Sequence, residues 1–313
     1  MENRYSIRNF KKAFRNPQLF KKEITRLFRK SLINIRYGGE KFMENDWDNL
    51  IILDACRPRF FEEYNPFDGE YSCKTSLGAS SGEFFERNFE GNQYHDIVYV
   101  TGNTKIERIN DRSLHRLVKT YADTINHHKG WLPKTTLDVA LEVYNEHPNK
   151  RLVVHFMQPH APYLSKQAKK LRERVTNEYN VGFGHMDVIE NNKNDDVDEF
   201  IPHLLFALER GYITREELEE VYAENLRLVF DYVEELVNNI DGKTVVTSDH
   251  SESFGDFNGI YGHKERAFSH SLREVPWLVL DRSRRNTFAE PPFESISVDE
   301  DIIKENLREL GYV

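Results

Sequence analysis

Four side chains that could bind a metal or move a proton follow apolar runs of the sequence, at the points where those runs end. Asp54 ends the run "NLIILD", Asp249 and His250 end "TVVTSDH", and His160 follows "RLVVHFMQP". If these runs are neighbouring parallel strands, the four side chains gather at the carboxyl edge of one sheet, where open α/β sheets bind their ligands. Taken singly, such an aspartate is usually a helix cap and a lone histidine is usually satisfied within the fold. Their convergence is what indicates a site.

The donor set suits one divalent cation. Two carboxylates and one imidazole, here Asp54, Asp249 and His250, match a borderline ion such as Zn²⁺ or Mn²⁺, and Mg²⁺ or Ca²⁺ would also be compatible. A set of three protein ligands leaves a coordination position open, which is what a catalytic metal needs.

A serine pair before a predicted helix supplies the candidate nucleophile. Ser80 and Ser81 lie between Gly78 and Gly82 in "SLGASSGEFF". Backbone N–H groups and the helix dipole favour negative charge at such an N-terminus, and a neighbouring metal would lower the pKa of the hydroxyl. The structural alternative is that Ser81 is only the N-cap of the helix, with Glu83 in its first turn.

Short apolar runs alternate with helical patterns along most of the chain. Continuous apolar strands that alternate with helices indicate a mostly parallel sheet with helices on both faces, so we predict the α/β class. Residues 164–200 are polar and predict an irregular surface insertion near the site. The predicted strands are 49–55, 96–103, 151–158, 243–250 and 275–280, and the predicted helices are 81–90, about 112–125, 134–147 and 214–239.

Composition and charge limit the class of protein. The chain has 313 residues, of which 39% are hydrophobic, enough for one large domain with or without an arm. No run of about 18 apolar residues and no secretory signal are visible. The two cysteines, Cys56 and Cys73, could form one disulfide at most, so we expect a reduced, cytoplasmic protein, at most peripheral on the inner face of the membrane. A formal charge of -9 argues against nucleic acid as a partner.

The first part of the chain differs in charge from the rest. Residues 1–42 carry 12 Lys or Arg and three Glu, a net charge of about +9, which leaves about -18 for the remainder. Their apolar residues fall near one helical face, which predicts a basic amphipathic helix. We therefore divide the chain into a helical arm, 1–43, and a catalytic domain, 44–313. The arm could lie on an anionic membrane surface or dock on the acidic body of its own protein.

Four stretches resemble the alkaline phosphatase superfamily, in particular its sulfatase-like and phosphoethanolamine-transferase-like branch. The stretch "TSDHSESFGDFNGIYGHKERAFSHSLREVPWLVL" is similar to that branch's Ser-Asp-His-Gly-Glu, Gly-Ile-Tyr and Val-Pro segments, and "VVHFMQPHAPY" resembles its histidine segment. "SLGASSGEFF" resembles the turn that carries the transferase nucleophile, and "IILDACR" resembles the first-strand acidic ligand. The resemblance covers roughly residues 45–285, in the right order, and implies an alkaline-phosphatase-like fold.

The resemblance implies metal ligands, a nucleophile and residues that handle the transferred group. The metal ligands would be Asp54, Asp249 and His250, the nucleophile would be Ser81 with Ser80 as the alternative, and the residues that bind the transferred group or assist the leaving group would be His160 and His263. To the substrate-binding set we add Lys264 and Arg57. Arg57 would act as an anion clamp or, equally, pair with surface acids.

Departures from the family pattern bear on the reaction. Ser251 stands where the branch usually has Gly, a serine replaces the usual threonine nucleophile, and "CKTSL" lacks the Pro and Arg of the sulfatase Cys-x-Pro-x-Arg segment. We therefore expect a metal-dependent hydrolase or transferase that attacks a phosphate ester through its serine. The expected substrate is a phosphorylated or sulfated glycan or a lipid-linked head group. A sulfuric ester hydrolase and a non-catalytic, metal-stabilised scaffold are the alternatives.

The remaining histidines are assigned to structural positions. His155 is interpreted as a strand-interior residue, and the pair His127-His128 as part of a surface loop.

Overall fold

The computed structural model describes most of the chain after residue 37. Most of the predicted arm, residues 1–37, therefore lies outside the described residues. The described residues are 38–121, 127–184, 197–257, 259–265, 267, 269–280 and 282–290.

Within these residues the chain forms eleven strands and six α-helices. The strands are β1 (Asn49–Asp54), β2 (Glu70–Thr75), β3 (Tyr94–Thr101), β4 (Leu114–Lys119), β5 (Arg151–Pro159), β6 (Val181–Phe183), β7 (Glu199–Ile201), β8 (Thr244–Thr247), β9 (Phe254–Phe257), β10 (Ile260–Tyr261) and β11 (Glu274–Leu280). The helices are α1 (Pro58–Tyr64), α2 (Ser81–Phe89), α3 (Pro133–Glu146), α4 (Lys166–Tyr179), α5 (Leu204–Glu209) and α6 (Arg215–Asn239).

Seven of the strands form the central sheet, in the spatial order β2-β11-β8-β1-β5-β3-β4. The five neighbours β8, β1, β5, β3 and β4 run parallel, whereas β11 is antiparallel to both β8 and β2. The predicted mostly parallel sheet is confirmed, and all five predicted strands are present. The apolar run that forms β11 was predicted as a strand, but an apolar run does not encode the direction in which a strand runs.

The strand β1 lies in the middle of the sheet and is buried along its whole length. Its alternate side chains enter two cores. Ile51 and Leu53 pack in one core with α3 and α6, and Leu50 and Ile52 pack in the other with α2. Helices therefore cover both faces of the sheet, as predicted, and a strand buried on both faces is apolar without alternation.

Phe42 and Met43 are part of the domain core. Both side chains are fully buried, and the Phe42 ring packs edge-on against Phe84 of α2 and Trp277 of β11. These two residues, which the sequence-based division places at the end of the arm, thus pack with the α/β domain.

The prediction of a helix over about 112–125 is wrong. Leu114–Lys119 form β4 at the edge of the sheet, parallel to β3, and only Leu114 of this strand is buried. An edge strand that exposes one face to solvent contains both polar and apolar side chains. Over six residues, this sequence pattern resembles that of an amphipathic helix.

The prediction that residues 164–200 are irregular is wrong in its first half. Lys166–Tyr179 form α4, which begins after the N-cap Ser165, whose hydroxyl accepts a hydrogen bond from the Ala168 N–H. The helix buries a narrow stripe that includes Leu171, and its many charged residues conceal that stripe in the sequence.

Gly78 allows the chain to turn closely into α2. A Cβ atom at Gly78 would lie 2.4 Å from the Phe84 backbone nitrogen and 2.8 Å from the Ser80 carbonyl oxygen. Because backbone atoms cannot move aside cheaply, we expect Gly78→Ala to lower the free energy of unfolding by about 1–3 kcal/mol, measured by urea titration. Gly184→Ala is the matched control, since its added carbon would meet nothing closer than 3.9 Å. An equal loss in both variants would contradict this explanation.

Candidate metal and catalytic site

Two carboxylates meet where β1 and β8 end. The strands pair in parallel with Ile52 opposite Thr247, so Asp54 and Asp249, each two residues further on, reach the same edge of the sheet. The Ala55 N–H donates a hydrogen bond to Asp249 Oδ1 at 3.1 Å and ties the two strand ends together. The φ of Ala55 is 58°, a left-handed conformation that turns the chain sharply after the carboxylate.

The start of α2 brings one serine hydroxyl to these carboxylates. Ser80 is the N-cap, and its Oγ accepts a hydrogen bond from the Glu83 N–H at 3.4 Å. Ser81, the first residue of the helix, places its Oγ 3.4 Å from Asp54 Oδ2 and 3.2 Å from His250 Nε2. The capping role that the sequence left open for Ser81 thus belongs to Ser80, and the structure brings Ser81 to the ligand set.

His250 presents a lone pair to this group. Its Nδ1 lies 2.9 Å from the Ser251 carbonyl oxygen, which can only accept, so Nδ1 carries the hydrogen and Nε2 is the acceptor. That Nε2 lies 3.4 Å from Asp249 Oδ2 and 3.6 Å from Asp54 Oδ1.

The donor atoms are spaced like the ligands of a tetrahedral ion. Bonds of about 2.0–2.1 Å to a tetrahedral Zn²⁺ would place ligand atoms about 3.4 Å apart. The separations among Asp54, Asp249, His250 and Ser81 given above run from 3.2 to 3.6 Å. Asp249 Oδ2 is also buried with no hydrogen-bond partner among the described residues, which a bound cation would resolve.

Burial shifts the pKa values of Asp54 and His250 in this group. Burial, and then the charge of Asp249, raises the pKa of Asp54 well above its usual range. Burial, and then the charge of His263, lowers the pKa of His250, so its imidazole stays neutral. Zn²⁺ binds aspartate in its ionised form and histidine in its neutral form. A bound ion would also offset the negative charge of the carboxylates. The residues therefore fit a divalent ion.

A second group of side chains faces the first. Ligand atoms of His160, Glu252 and His263 lie within 4.8 Å of one another, so this group, too, could hold a cation. His263 lies between the two groups, with its ring centroid 4.4 Å from that of His250 and 5.1 Å from that of His160. The predicted convergence of the histidines on the carboxylates is thus present in the structure.

Glu252 controls the charge of His263. Burial alone would lower the pKa of His263, but the Glu252 carboxylate, 3.0 Å from its Nδ1, together with Asp54 and Asp249, raises that pKa to about 9. His263 is therefore an imidazolium at neutral pH and has a proton to donate.

Arg57 and Lys264, the two basic residues predicted to bind substrate, lie in different environments. The Arg57 guanidinium pairs with Asp256 at 2.5 Å and packs over the Phe254 ring at 4.6 Å. Arg215 pairs with the same carboxylate. Of the two roles predicted for Arg57, the structure shows the pairing with an acid, and the anion clamp stays a prediction. Lys264 is exposed beside His263.

Three contributors to the site were missed in the sequence. Asn103 Nδ2 donates a hydrogen bond to Asp54 Oδ2 at 2.6 Å, and Asn103 follows β3, so the rule that strand ends share an edge would have found it. Glu252 occupies the Glu position of the Ser-Asp-His-Gly-Glu segment that this stretch resembles, and that resemblance could have identified it. His155 is inside β5, as predicted, yet its Nε2 lies 3.7 Å from oxygens of both Asp54 and Asp249.

An ion pair lies over the turn that carries the serine. Arg108, at the end of the 3₁₀ turn Thr104–Arg108, pairs with Glu86 and Glu265. A Cβ at Gly82 would lie 2.4 Å from Arg108 Nη1, so the missing side chain at Gly82 makes room for this pair directly after Ser81.

No protein-family model matches the chain, and no curated protein matches it. Solved structures from the alkaline phosphatase superfamily resemble it. The C-terminal periplasmic domain of phosphoethanolamine transferase EptC from Campylobacter jejuni is 14% identical, covers 74% of this chain and 78% of its own, and has a TM-score of 0.45. The zinc complex of the C-terminal periplasmic domain of EptC from Escherichia coli is 14% identical, with coverages of 79% and 76% and a TM-score of 0.43.

A 2-O GAG sulfatase is also similar, at 11% identity, coverages of 74% of this chain and 63% of that one, and a TM-score of 0.36. Transferases and sulfatases are the two kinds of enzyme whose motifs the sequence resembles. The likeness concerns the fold, and the roles of the side chains are inferred from their geometry.

The prediction of a cytoplasmic location is contradicted by these structures, because both transferase domains are periplasmic. The prediction relied on cysteine content, and Cys56 and Cys73 are indeed free thiols. Two unpaired thiols do not distinguish one side of a membrane from the other. None of the helices described here has both the length and the apolar character needed to cross a bilayer.

Binding of Zn²⁺ should stabilise the fold through Asp249. At a free Zn²⁺ concentration of 100 times Kd, the free energy of unfolding should rise by about 2.7 kcal/mol, measured as a shift in thermal unfolding between chelated and loaded protein. Asp249→Asn should abolish that shift, because the amide removes a ligand charge, whereas Asp68→Asn, at an exposed carboxylate, should retain it. The same Zn²⁺ dependence in Asp249→Asn would contradict the assignment.

The His263–Glu252 pair should stabilise the fold in a pH-dependent way. The pKa of His263 is raised from 6.5 to about 9 on folding, so its contribution is complete below pH 6.5 and is lost as the pH rises toward 9. The difference in unfolding free energy between wild type and His263→Gln, both with chelator, should therefore shrink between pH 6.5 and 9. A difference that stays constant across this range would refute the raised pKa.

Proposed function

We propose that the protein is a divalent-metal-dependent enzyme that cleaves a phosphate ester by transferring the phosphorus-centred group to Ser81. The observation that carries this proposal is the position of the Ser81 hydroxyl, within 3.4 Å of Asp54 Oδ2 and His250 Nε2 at the first turn of a helix. A serine at a helix N-terminus beside three metal-binding side chains is what in-line attack on a phosphate requires.

The bound ion would be held by Asp54, Asp249 and His250. When bound, it supplies a positive charge that lowers the pKa of a neighbouring hydroxyl and offsets negative charge on phosphate oxygens. Zn²⁺ is the ion that this donor set and its spacing favour, with Mn²⁺ as the second choice.

Ser81 then acts as the nucleophile. Its Oγ forms a bond to phosphorus while the bond from phosphorus to the leaving oxygen breaks. The N–H groups of Ser81 and Gly82, the first two residues of α2, have no acceptors within the helix and can donate to oxygens of the transferred group. Ser81 is preferred over the alternative, Ser80, because the Ser80 Oγ accepts the capping hydrogen bond from the Glu83 N–H.

His263 is the proposed proton donor to the leaving oxygen. Glu252 orients its ring through Nδ1 and raises its pKa to about 9, which keeps it protonated at neutral pH and leaves Nε2–H as the group available for transfer. His160, whose ring is next to that of His263, is proposed to bind the transferred group. Water or an acceptor hydroxyl then releases the group from Ser81.

Phosphate esters are preferred over sulfate esters because the residue beside the ligands is a serine. Sulfatase chemistry of the formylglycine kind needs a cysteine-derived side chain at that position, and Cys73 lies on β2 instead. A phosphorylated glycan or lipid-linked head group remains the substrate class that the sequence resemblance implies.

Replacing Ser81 tests the proposal. With Zn²⁺ bound, Ser81→Ala should lower turnover of nitrophenyl phosphate mono- or diesters by about 10³-fold or more, since no other hydroxyl is in position. Ser80→Ala should keep most of the turnover and lower the unfolding free energy by about 0.5–2 kcal/mol through loss of the cap. Mass spectrometry of the intact protein should detect a phosphorus adduct on wild type and none on Ser81→Ala.

The other outcomes separate the alternatives. Turnover that survives in Ser81→Ala would rule out this nucleophile. Faster cleavage of nitrophenyl sulfate than of either phosphate would favour a sulfuric ester hydrolase. Zn²⁺ binding without turnover of any ester would favour the non-catalytic scaffold.

A further inference from the structure

A buried histidine lies behind the ligand carboxylates with one ring nitrogen unexplained. His155 of β5 is fully buried, and its Nε2 has no hydrogen-bond partner among the described residues. That nitrogen lies 3.7 Å from Asp54 Oδ2 and 3.7 Å from Asp249 Oδ2. Position alone would make His155 a further metal ligand, but its hydrogen bonding indicates otherwise.

The other ring nitrogen of His155 is held by Tyr99. The Tyr99 hydroxyl lies 3.0 Å from His155 Nδ1, and Tyr99 is fully buried on the neighbouring strand β3. His155 Nδ1 is the hydrogen-bond partner that the described structure gives this hydroxyl. A buried hydroxyl that donates to nothing costs about 1–3 kcal/mol, so the O–H must donate to Nδ1.

This hydrogen bond fixes the tautomer of His155. A neutral imidazole whose Nδ1 accepts carries its hydrogen on Nε2. The opposite arrangement, with Nδ1–H donating to the phenol oxygen, would leave the phenol hydrogen without an acceptor. An Nε2–H group has no lone pair to give to a cation.

His250 provides the contrast within the same site. Its Nδ1–H donates to the Ser251 carbonyl, so its Nε2 has the lone pair. The two imidazoles thus face the same pair of carboxylates with opposite tautomers, because one is backed by a hydrogen-bond acceptor and the other by a donor.

We propose that His155 is a positioning residue of the metal site, which Tyr99 locks as the Nε2–H tautomer so that it directs an N–H, and not a lone pair, at Asp54 and Asp249. The inference rests on the proposed metal site. At 3.7 Å the contact is longer than a hydrogen bond, so its effect is that of the positive end of an N–H dipole between two carboxylates. It attracts one oxygen of each carboxylate and so orients their remaining lone pairs toward the cation.

The tautomer can be measured directly on the full chain. Histidine ¹⁵N NMR of protein treated with chelator, and then loaded with Zn²⁺, should show His155 protonated at Nε2 in both states and His250 protonated at Nδ1. Tyr99→Phe should remove the lock and give a mixture of His155 tautomers. Tyr94→Phe, on the same strand with its hydroxyl on the Asn88 carbonyl, is the matched control and should leave His155 unchanged. His155 protonated at Nδ1 in wild type would overturn the inference, whatever the metal does.

Zn²⁺ affinity, measured by chelator competition, tests the positioning role. His155→Leu should weaken binding by about 10–100-fold, as loss of a residue that orients ligands does. His155→Gln keeps an N–H near the same place and should stay within about threefold of wild type. Equal losses in the Gln and Leu variants are what a direct imidazole ligand would give, and no loss in either would leave His155 without a role; both results overturn the proposal.

Two checks keep the outcomes distinct. Circular dichroism and thermal unfolding establish that each variant is folded, and Tyr99→Phe serves if His155→Leu is not. Failure of wild type to bind Zn²⁺ would refute the proposed function and the positioning role together, whereas the tautomer result would still decide the Tyr99–His155 lock.

Discussion

The site depends on two carboxylates that are buried side by side. Asp54 and Asp249 lie at the ends of neighbouring parallel strands, where the sheet itself sets their separation. A cation between two buried carboxylates offsets the cost of bringing their charges together. The groups around the two carboxylates stabilise this arrangement. Asn103 donates to one carboxylate, the Ala55 N–H donates to the other, and a neutral imidazole completes the set.

The same edge of the sheet also holds the turn that carries Ser81, the proposed nucleophile. The Ser76 hydroxyl donates to the Asp249 carbonyl oxygen at 2.5 Å, and the fully buried Arg273 pairs with Glu83 in the first turn of α2 at 3.0 Å. The turn that holds Ser81 is thus bonded to the strand end that supplies two ligands and to the segment before β11. Hydroxyl and ligands are held as one unit, which is the pre-organisation that phosphoryl transfer needs.

Much of the fold and of the candidate site was predictable from the sequence. The features that the sequence did not predict were missed for physical reasons. Asp54, Asp249 and His250 were predicted because strand ends share an edge, a rule that needs only apolar runs. The edge strand β4 and the helix α4 were missed because their buried sides are narrow. The sequence does not show which acid Arg57 pairs with. His155 was set aside because a strand position does not reveal where a ring nitrogen points.

The ion pair between Arg108 and Glu265 joins, at the outer surface, the wall that carries Ser81 to the loop that carries His263. Both partners are partly exposed, and such pairs are weak and screened by salt. Thermal motion therefore breaks this ion pair far more readily than the buried hydrogen bonds around Asp54 and Asp249. The link between the His263 loop and the wall that carries Ser81 would therefore weaken as the salt concentration rises, whereas the buried bonds that hold Ser81 would be affected much less.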